Sequence, residues 1–439
     1  MKLRQIISVV LIVAMSVILS GCDLFFADTA EFLRPPSLSG DISLISDAIS
    51  ESIDDIYKLE YPSTGKYRSA VIQKDIDGDG ILEAFTFYST TDAEITTMHI
   101  NVICKKKGKW TSISKQKIVA GGVDKVEFCD LDNDNVEEIL VGWQIYGTSK
   151  MQLVVYSLED DILTQRMLQE YTNFTFCDLD EDGRNEIFVN KFNSSEEFNI
   201  ASLYVLTERG VNEVCSCSLD TTVKAVNEPV IATLSSGKAA IYLDEIKGVG
   251  AVTEVLFIEK NSLVNPLLNI ESGETAATLR SASLNVQDIN NDGIIEIPVQ
   301  ENVPSISKSE LNEKLYLTNW CSYNGEKLTK QITVMMNLND GYYYIISPKW
   351  SGKIAVLKDN DKRLREIYEY DSATMTVGEK LICIQAVDRK DWESEKYKDS
   401  DLAEIACDST TTYTCWLSDK AKLDGVTYPD VKSNFKLLE

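Results

Sequence analysis

Acid-rich stretches of nine residues recur four times along the chain: 75–83 (DIDGDGILE), 130–138 (DLDNDNVEE), 178–186 (DLDEDGRNE) and 288–296 (DINNDGIIE). Each places side-chain oxygens at positions one, three and five, a sharp-turning residue at six and a glutamate at nine. Several carboxylates in one tight turn repel one another unless a cation sits among them. Calcium takes six to eight oxygens in a flexible geometry, and alternate positions of a tight loop can converge on it. The predicted ligands are Asp75, Asp77, Asp79 and Glu83; Asp130, Asp132, Asp134 and Glu138; Asp178, Asp180, Asp182 and Glu186; and Asp288, Asn290, Asp292 and Glu296. Backbone carbonyls at position seven, from Ile81, Val136, Arg184 and Ile294, can add a further oxygen. Gly80, Gly183 and Gly293 suit the turn at six, and Asn135 tolerates the same left-handed backbone. Polar hairpin turns without metal are the alternative, because Asp and Gly are common in turns. Recurrence of the whole pattern favours metal, and about four structural calcium ions are expected. Position twelve holds Thr86, Val141, Val189 and Val299, so these are not EF-hands, which need a bidentate glutamate there.

Strand-like runs follow each loop: AFTFY, ILVGW, IFVNKF and IPVQ. The first acids stand at 75, 130, 178 and 288, so one interval is double the others. A degenerate repeat is therefore expected between, and 229–246 (PVIATLSSGKAAIYLDEI) fits as strand, turn and strand. Its turn lacks acids, and no metal is expected there. Units of about 50 residues with several short strands predict a mainly β fold, a calcium-loop β-propeller of about five blades over 63–336. An atypical closing blade would make six. The segment 67–73 is a candidate strand for the last blade.

The four loops, each preceded by a short apolar stretch such as Val126-Glu127-Phe128-Cys129, resemble the FG-GAP/VCBS repeats, best known from the propeller domains of integrin alpha chains. The resemblance covers roughly 65–335. It implies one propeller blade per repeat and a structural calcium in each loop. The larger layout looks like that of surface lipoproteins of Gram-positive anaerobes, a resemblance that brings no activity with it.

Residues 1–21 read as a secretory signal: Lys2 and Arg4 precede an apolar core that is short of the roughly 20 residues a comfortable span needs. Leu19-Ser20-Gly21-Cys22 has the form of a lipobox, and its resemblance to bacterial lipoproteins implies lipidation of Cys22. The expected location is extracytoplasmic, anchored to the outer face of the bacterial cytoplasmic membrane. Residues 22–62 are then a tether and an amphipathic helix. Pro35 and Pro36 keep the tether extended, and Ile45, Ile49, Ile53, Ile56 and Leu59 recur at helical spacing from a cap at Asp41 or Ser43. That helix is expected to pack on the first blade. After 337–341 the calcium spacing does not return, and 340–439 reads as a small α+β domain with an antiparallel sheet.

A net charge of −26 argues against nucleic acid as a partner. The one basic run, 105–109 (KKKGK), reads as a charged hairpin tip. Apart from Cys22 there are nine cysteines, and few disulfides are expected; Cys129 and Cys177 occupy equivalent places just before a loop, as buried strand positions. His99 is the only histidine and lies in an alternating strand, so a histidine-based triad has little to build on. The function expected is a surface binding or scaffold module for a protein or glycan partner. The alternative is a glycoside hydrolase or lyase using carboxylates alone. The acids outside the loops, such as Asp244 and Glu245, show no distinctive pairing in sequence.

Overall fold

The computed structural model describes residues 40–92, 95–193, 198–281, 284–306, 315–397 and 400–438. The signal, Cys22 and most of the tether lie outside them. The chain is mainly β, and among the described residues its strands form six antiparallel sheets of four or five strands and one short two-stranded ribbon. The described residues divide into two compact units, one holding 40–61, 69–119 and 160–163, the other holding the rest.

In the first unit, the helix Gly40–Ser52 buries Ile45, Ala48 and Ile49 against Ala84, Ile103 and Trp110. It thus packs on the first sheet, as its apolar stripe predicts. It is shorter than predicted. Tyr57–Glu60 leaves the helical path and pairs with Glu83–Asp92, and Ile56 is 97% exposed. Edge pairing with an already formed strand supplies backbone hydrogen bonds that a further helical turn, with Ile56 in water, would not improve. The sheet continues through Ile95–Lys106 and Lys109–Ile118. Val71–Lys74 pairs with Glu83–Asp92, so the segment expected to complete the last blade belongs to the first sheet. The basic run is a hairpin tip, with Lys107 and Gly108 at positive φ. His99 stacks on Tyr88 at 4.5 Å and bonds Thr90 Oγ1 through Nε2, a satisfied strand histidine.

In the second unit, the second and third sheets are meanders, and the central strands of the second, third and fourth sheets are covered on both faces. The second sheet runs Ala120–Cys129, Glu138–Ile145, Met151–Glu159 and Ile162–Tyr171; the third runs Asn173–Cys177, Glu186–Asn193, Phe198–Thr207 and Gly210–Ser218. Side chains alternate across a strand, and here the alternation feeds two cores. Ile187 and Val189 pack with Leu140, Leu153 and Val155 of the second sheet, while Phe188 packs with Ile241, Leu243 and Leu256 of the fourth. The fourth sheet is built on Ala239–Lys247 and Gly250–Glu259, and its Tyr242, Val255 and Phe257 meet Ile297 and Tyr323 of the fifth. Neighbouring sheets therefore stack face to face, and each hydrophobic strand joins two layers.

The fifth sheet orders Ile297–Val303, Leu315–Tyr323, Leu328–Asn337, Tyr342–Ile345 and Phe435–Leu437. Pairing thus runs through residue 340, where the sequence suggests a boundary, and the C-terminal strand closes a sheet begun by the fourth repeat. One core joins Val303 and Leu317 to Ile382, Tyr413 and Phe435. The sixth sheet holds Ile354–Asp359, Leu364–Asp371, Thr376–Asp388, Thr411–Leu417 and Ala403–Cys407. All nine cysteines from Cys104 to Cys415 are free thiols, and Cys129 and Cys177 are buried core fillers.

Candidate metal centres

Each acid loop is the turn of a hairpin, closed by pairing of the residue before its first acid with the glutamate at nine: Lys74 with Glu83, Cys129 with Glu138, Cys177 with Glu186 and Gln287 with Glu296. Strand alternation turns that glutamate inward, and all four are at most 6% exposed. Inside the loop, three backbone contacts repeat. The glutamate accepts the N–H of position two at 3.2, 3.0, 2.8 and 3.1 Å, from Ile76, Leu131, Leu179 and Ile289. The first acid accepts the N–H of position six, from Gly80, Asn135, Gly183 and Gly293, at 2.8–3.0 Å. The acid at five accepts the N–H of position seven, from Ile81, Val136, Arg184 and Ile294, at 2.7–2.8 Å. These bonds occupy one side of the acids and fix the loop, leaving other oxygens free to converge.

Convergence is seen in three loops. Asp75, Asp77 and Glu83; Asp130, Asp132 and Glu138; and Asp178, Asp180, Asp182 and Glu186 each offer oxygens lying within 4.8 Å of one another, groups that can hold a metal ion. Asp79 and Asp134 stand outside their groups, bonded to position seven. Asp132 Oδ1 and Asp178 Oδ1 are buried without a donor, and an acceptor left bare among acceptors fits a cation. In the fourth loop, Asn290 Nδ2 donates to Asp292 Oδ2 at 2.9 Å and to Glu296 Oε1 at 3.2 Å. There the amide knits the acids together.

Burial and the neighbouring acids set the electrostatics. Burial first, with Asp132 and Asp134 adding like charge, pushes Glu138 up to about 7. Burial likewise lifts Glu186 and Glu296 to about 7, and Glu83 is raised for the same reason. Asp132 and Asp180 are also raised. The loops hold negative charge under strain that a cation would relieve.

Position four was not singled out by sequence. Gly78, Asn133, Glu181 and Asn291 all adopt φ between 61° and 71°. Gly and Asn there could have signalled a second left-handed residue; Glu181 could not. Adjacent loops also touch. Asn133 Nδ2 donates to the Gly183 carbonyl at 2.8 Å, and Glu181 Oε1 accepts the Ala239 N–H at 3.0 Å. The degenerate repeat forms the expected hairpin, Val230–Thr233 to Ala239–Lys247, with the Leu234 N–H bonded to the Lys238 carbonyl and no carboxylate in the turn. Asp244 is ion-paired to a buried Arg280 at 2.9 Å and Glu245 has no exposed surface, so neither is open to a substrate.

No protein-family model and no curated protein matches this chain. Solved structures similar to it include the exotype rhamnogalacturonan lyase YesX, at 10% identity and TM-score 0.31 over 82% of this chain and 90% of that one. The periplasmic gluconolactonase PpgL of Pseudomonas aeruginosa is similar at 10% identity and TM-score 0.28, over 72% and 86%. A rhamnogalacturonan lyase of Bacillus licheniformis is similar at 12% identity and TM-score 0.31, over 82% and 89%. Scores at this level carry no argument about activity.

Proposed function

We propose that the chain is a calcium-pinned β-propeller, lipid-anchored through Cys22 at the outer face of a bacterial cytoplasmic membrane, that binds or scaffolds a surface protein or glycan. The observation that supports this most is the repetition of one hydrogen-bonded loop geometry at four hairpins, in three of which the acids converge. On this reading Asp75, Asp77 and Glu83, and their counterparts in the other loops, hold calcium, and the FG-GAP/VCBS resemblance extends to the fold. Hard oxygen ligands of mixed carboxylate and carbonyl type suit calcium, and extracellular modules commonly bind it at about 10⁻⁴ to 10⁻³ M.

The metal's role is structural: it cancels acid repulsion and locks each hairpin, so that the sheets present a fixed surface. A cleft of about 420 Å³ beside the sixth sheet, lined by Lys349, Trp350, Lys353, Tyr370, Lys420 and Asp424, is a candidate contact for the partner. The test is retention of glycans and bacterial surface proteins on immobilised protein, in calcium and in chelator. Calcium-dependent retention of a defined glycan or protein, weakened by Lys353→Glu, supports the reading. Turnover of a polysaccharide, with product release, would replace it with the hydrolase or lyase alternative.

A further inference from the structure

The fourth sheet lacks an acid loop yet gathers a cluster of fully buried acids. Asp220, Glu245 and Glu254 are all 0% exposed, and Asp244 is 4% exposed. Asp244 and Asp220 are balanced. Arg280 pairs with Asp244 at 2.9 Å, and Lys247 pairs with Asp220 at 2.9 Å and with Glu274 at 2.8 Å. Among the described residues, neither glutamate is ion-paired.

Glu254 is nevertheless well served. It accepts from the Asp220 N–H at 3.1 Å, from Asn265 Nδ2 at 2.7 Å and from Thr275 Oγ1 at 2.7 Å. Glu245 is the opposite case, for neither of its carboxyl oxygens meets a donor. In the strand register Glu245 stands opposite Val252 and Leu243 opposite Glu254. That puts the two glutamates on one face as diagonal neighbours, a spacing that long side chains can bridge. Two ionised carboxylates cannot hydrogen-bond, because neither has a proton to give. Lys247 shares the face of Glu245 but turns its ammonium to Asp220, Glu274 and the Thr275 carbonyl. A charged Glu245 would compete for it.

We propose that Glu245 is a neutral carboxylic acid that donates its proton to the ionised Glu254, and that this buried shared proton holds the fourth sheet together where its turn has no acid loop. Around Glu245, on its own strand, the next strand and the flanking segments, Asp220, Asp244, Glu254 and Glu274 already outnumber the cations Lys247 and Arg280, and the proton keeps Glu245 from adding a fifth negative charge; Lys224, on the strand side, is exposed. Burial and the Glu254 charge both push the Glu245 carboxyl well above the usual carboxylate range. Loss of the proton leaves an unpaired carboxylate in the core and loosens the sheet, so the device sets an alkaline limit on the fold.

Infrared spectroscopy of the calcium-loaded whole chain at about pH 8 reads this directly, because ordinary carboxyls are ionised there. The expected result is a protonated-carboxyl C=O band in the wild type that is missing in Glu245→Gln. The amide mimics the neutral acid, so Glu245→Gln should keep the wild-type melting temperature at that pH and lose its alkaline decline. If the variant fails to fold, titration of the wild-type band decides alone: it must persist at pH 8 and vanish together with the alkaline loss of stability. Absence of the band at pH 8, its survival unchanged in Glu245→Gln, or loss of one bound metal ion in that variant would each overturn the proposal.

Discussion

Glu186 meets three demands at once: it closes a strand pair with Cys177, caps the Leu179 N–H, and aims its remaining oxygen at Asp178, Asp180 and Asp182. Replacing it with Gln keeps size and one acceptor but removes the charge. Glu186→Gln is expected to lower calcium affinity of that loop at least tenfold, checked by calorimetric titration, while leaving the metal-free melting temperature close to wild type. A second residue tests packing alone. A Cβ on Gly142 would stand 2.0 Å from the Tyr171 hydroxyl, which donates to Asp124 Oδ2 at 2.5 Å. Gly142→Ala should therefore cost about 1–3 kcal/mol, read by urea unfolding, with calcium binding unaffected. The acid clusters of the first three loops were legible because charge repulsion leaves few reasons to crowd acids together, whereas the places of Asp79 and Asp134 outside their groups were not. The Glu245–Glu254 pair was not legible, because its partners come together through strand register, which sequence spacing does not show.

At the scale of the hairpin, the loop is a charge trap whose protonation and metal states compete. Glu138, Glu186 and Glu296 sit near 7 in the folded metal-free chain, above their ordinary value. The folded state then binds protons that the unfolded state has released. Stability from these groups is full below the ordinary carboxylate pKa and is lost as pH rises through about 7. The chelated protein is expected to melt lower at about pH 8 than at about pH 5, and calcium should reverse that slope. A melting temperature in chelator that rises over this range would contradict the raised glutamates. The fourth loop should be the weakest, since Asn290 supplies an amide where the others supply a carboxylate. Asn290→Asp is expected to tighten it, measured as a later release of the last calcium during chelator titration. Hairpins and turns were readable from the sequence at this scale, including the acid-free one after Thr233. The short helix and the strand Tyr57–Glu60 were not, because an apolar periodicity continued by chance past Ser52 into a segment that edge pairing claims.

From the second sheet to the fourth, stability comes from stacked sheets whose central strands are buried on both faces. Removing Phe188, 0% exposed between the third and fourth sheets, opens a cavity in one such layer. Phe188→Ala is expected to cost about 3–5 kcal/mol in unfolding experiments, without altering the number of bound ions. The β class and the repeat period were written in the sequence because strands and turns are local. The boundary near 340 was drawn where the acid spacing stops, but the fifth sheet is completed by Phe435–Leu437 from the far end of the chain. That long-range pairing has no local mark. Calcium binding to the native state adds about 2.7 kcal/mol per site at a hundredfold excess over Kd, enough for a few loops to dominate the stability of the whole.

The most direct test is metal counting on the purified chain from Asp23 onward, paired with thermal unfolding in calcium and in chelator. About four calcium ions per chain, and a melting temperature that falls clearly when they are removed, is the expected result. No bound calcium and no shift would mean that the acid loops are plain turns, and the metal-pinned scaffold would have to be abandoned.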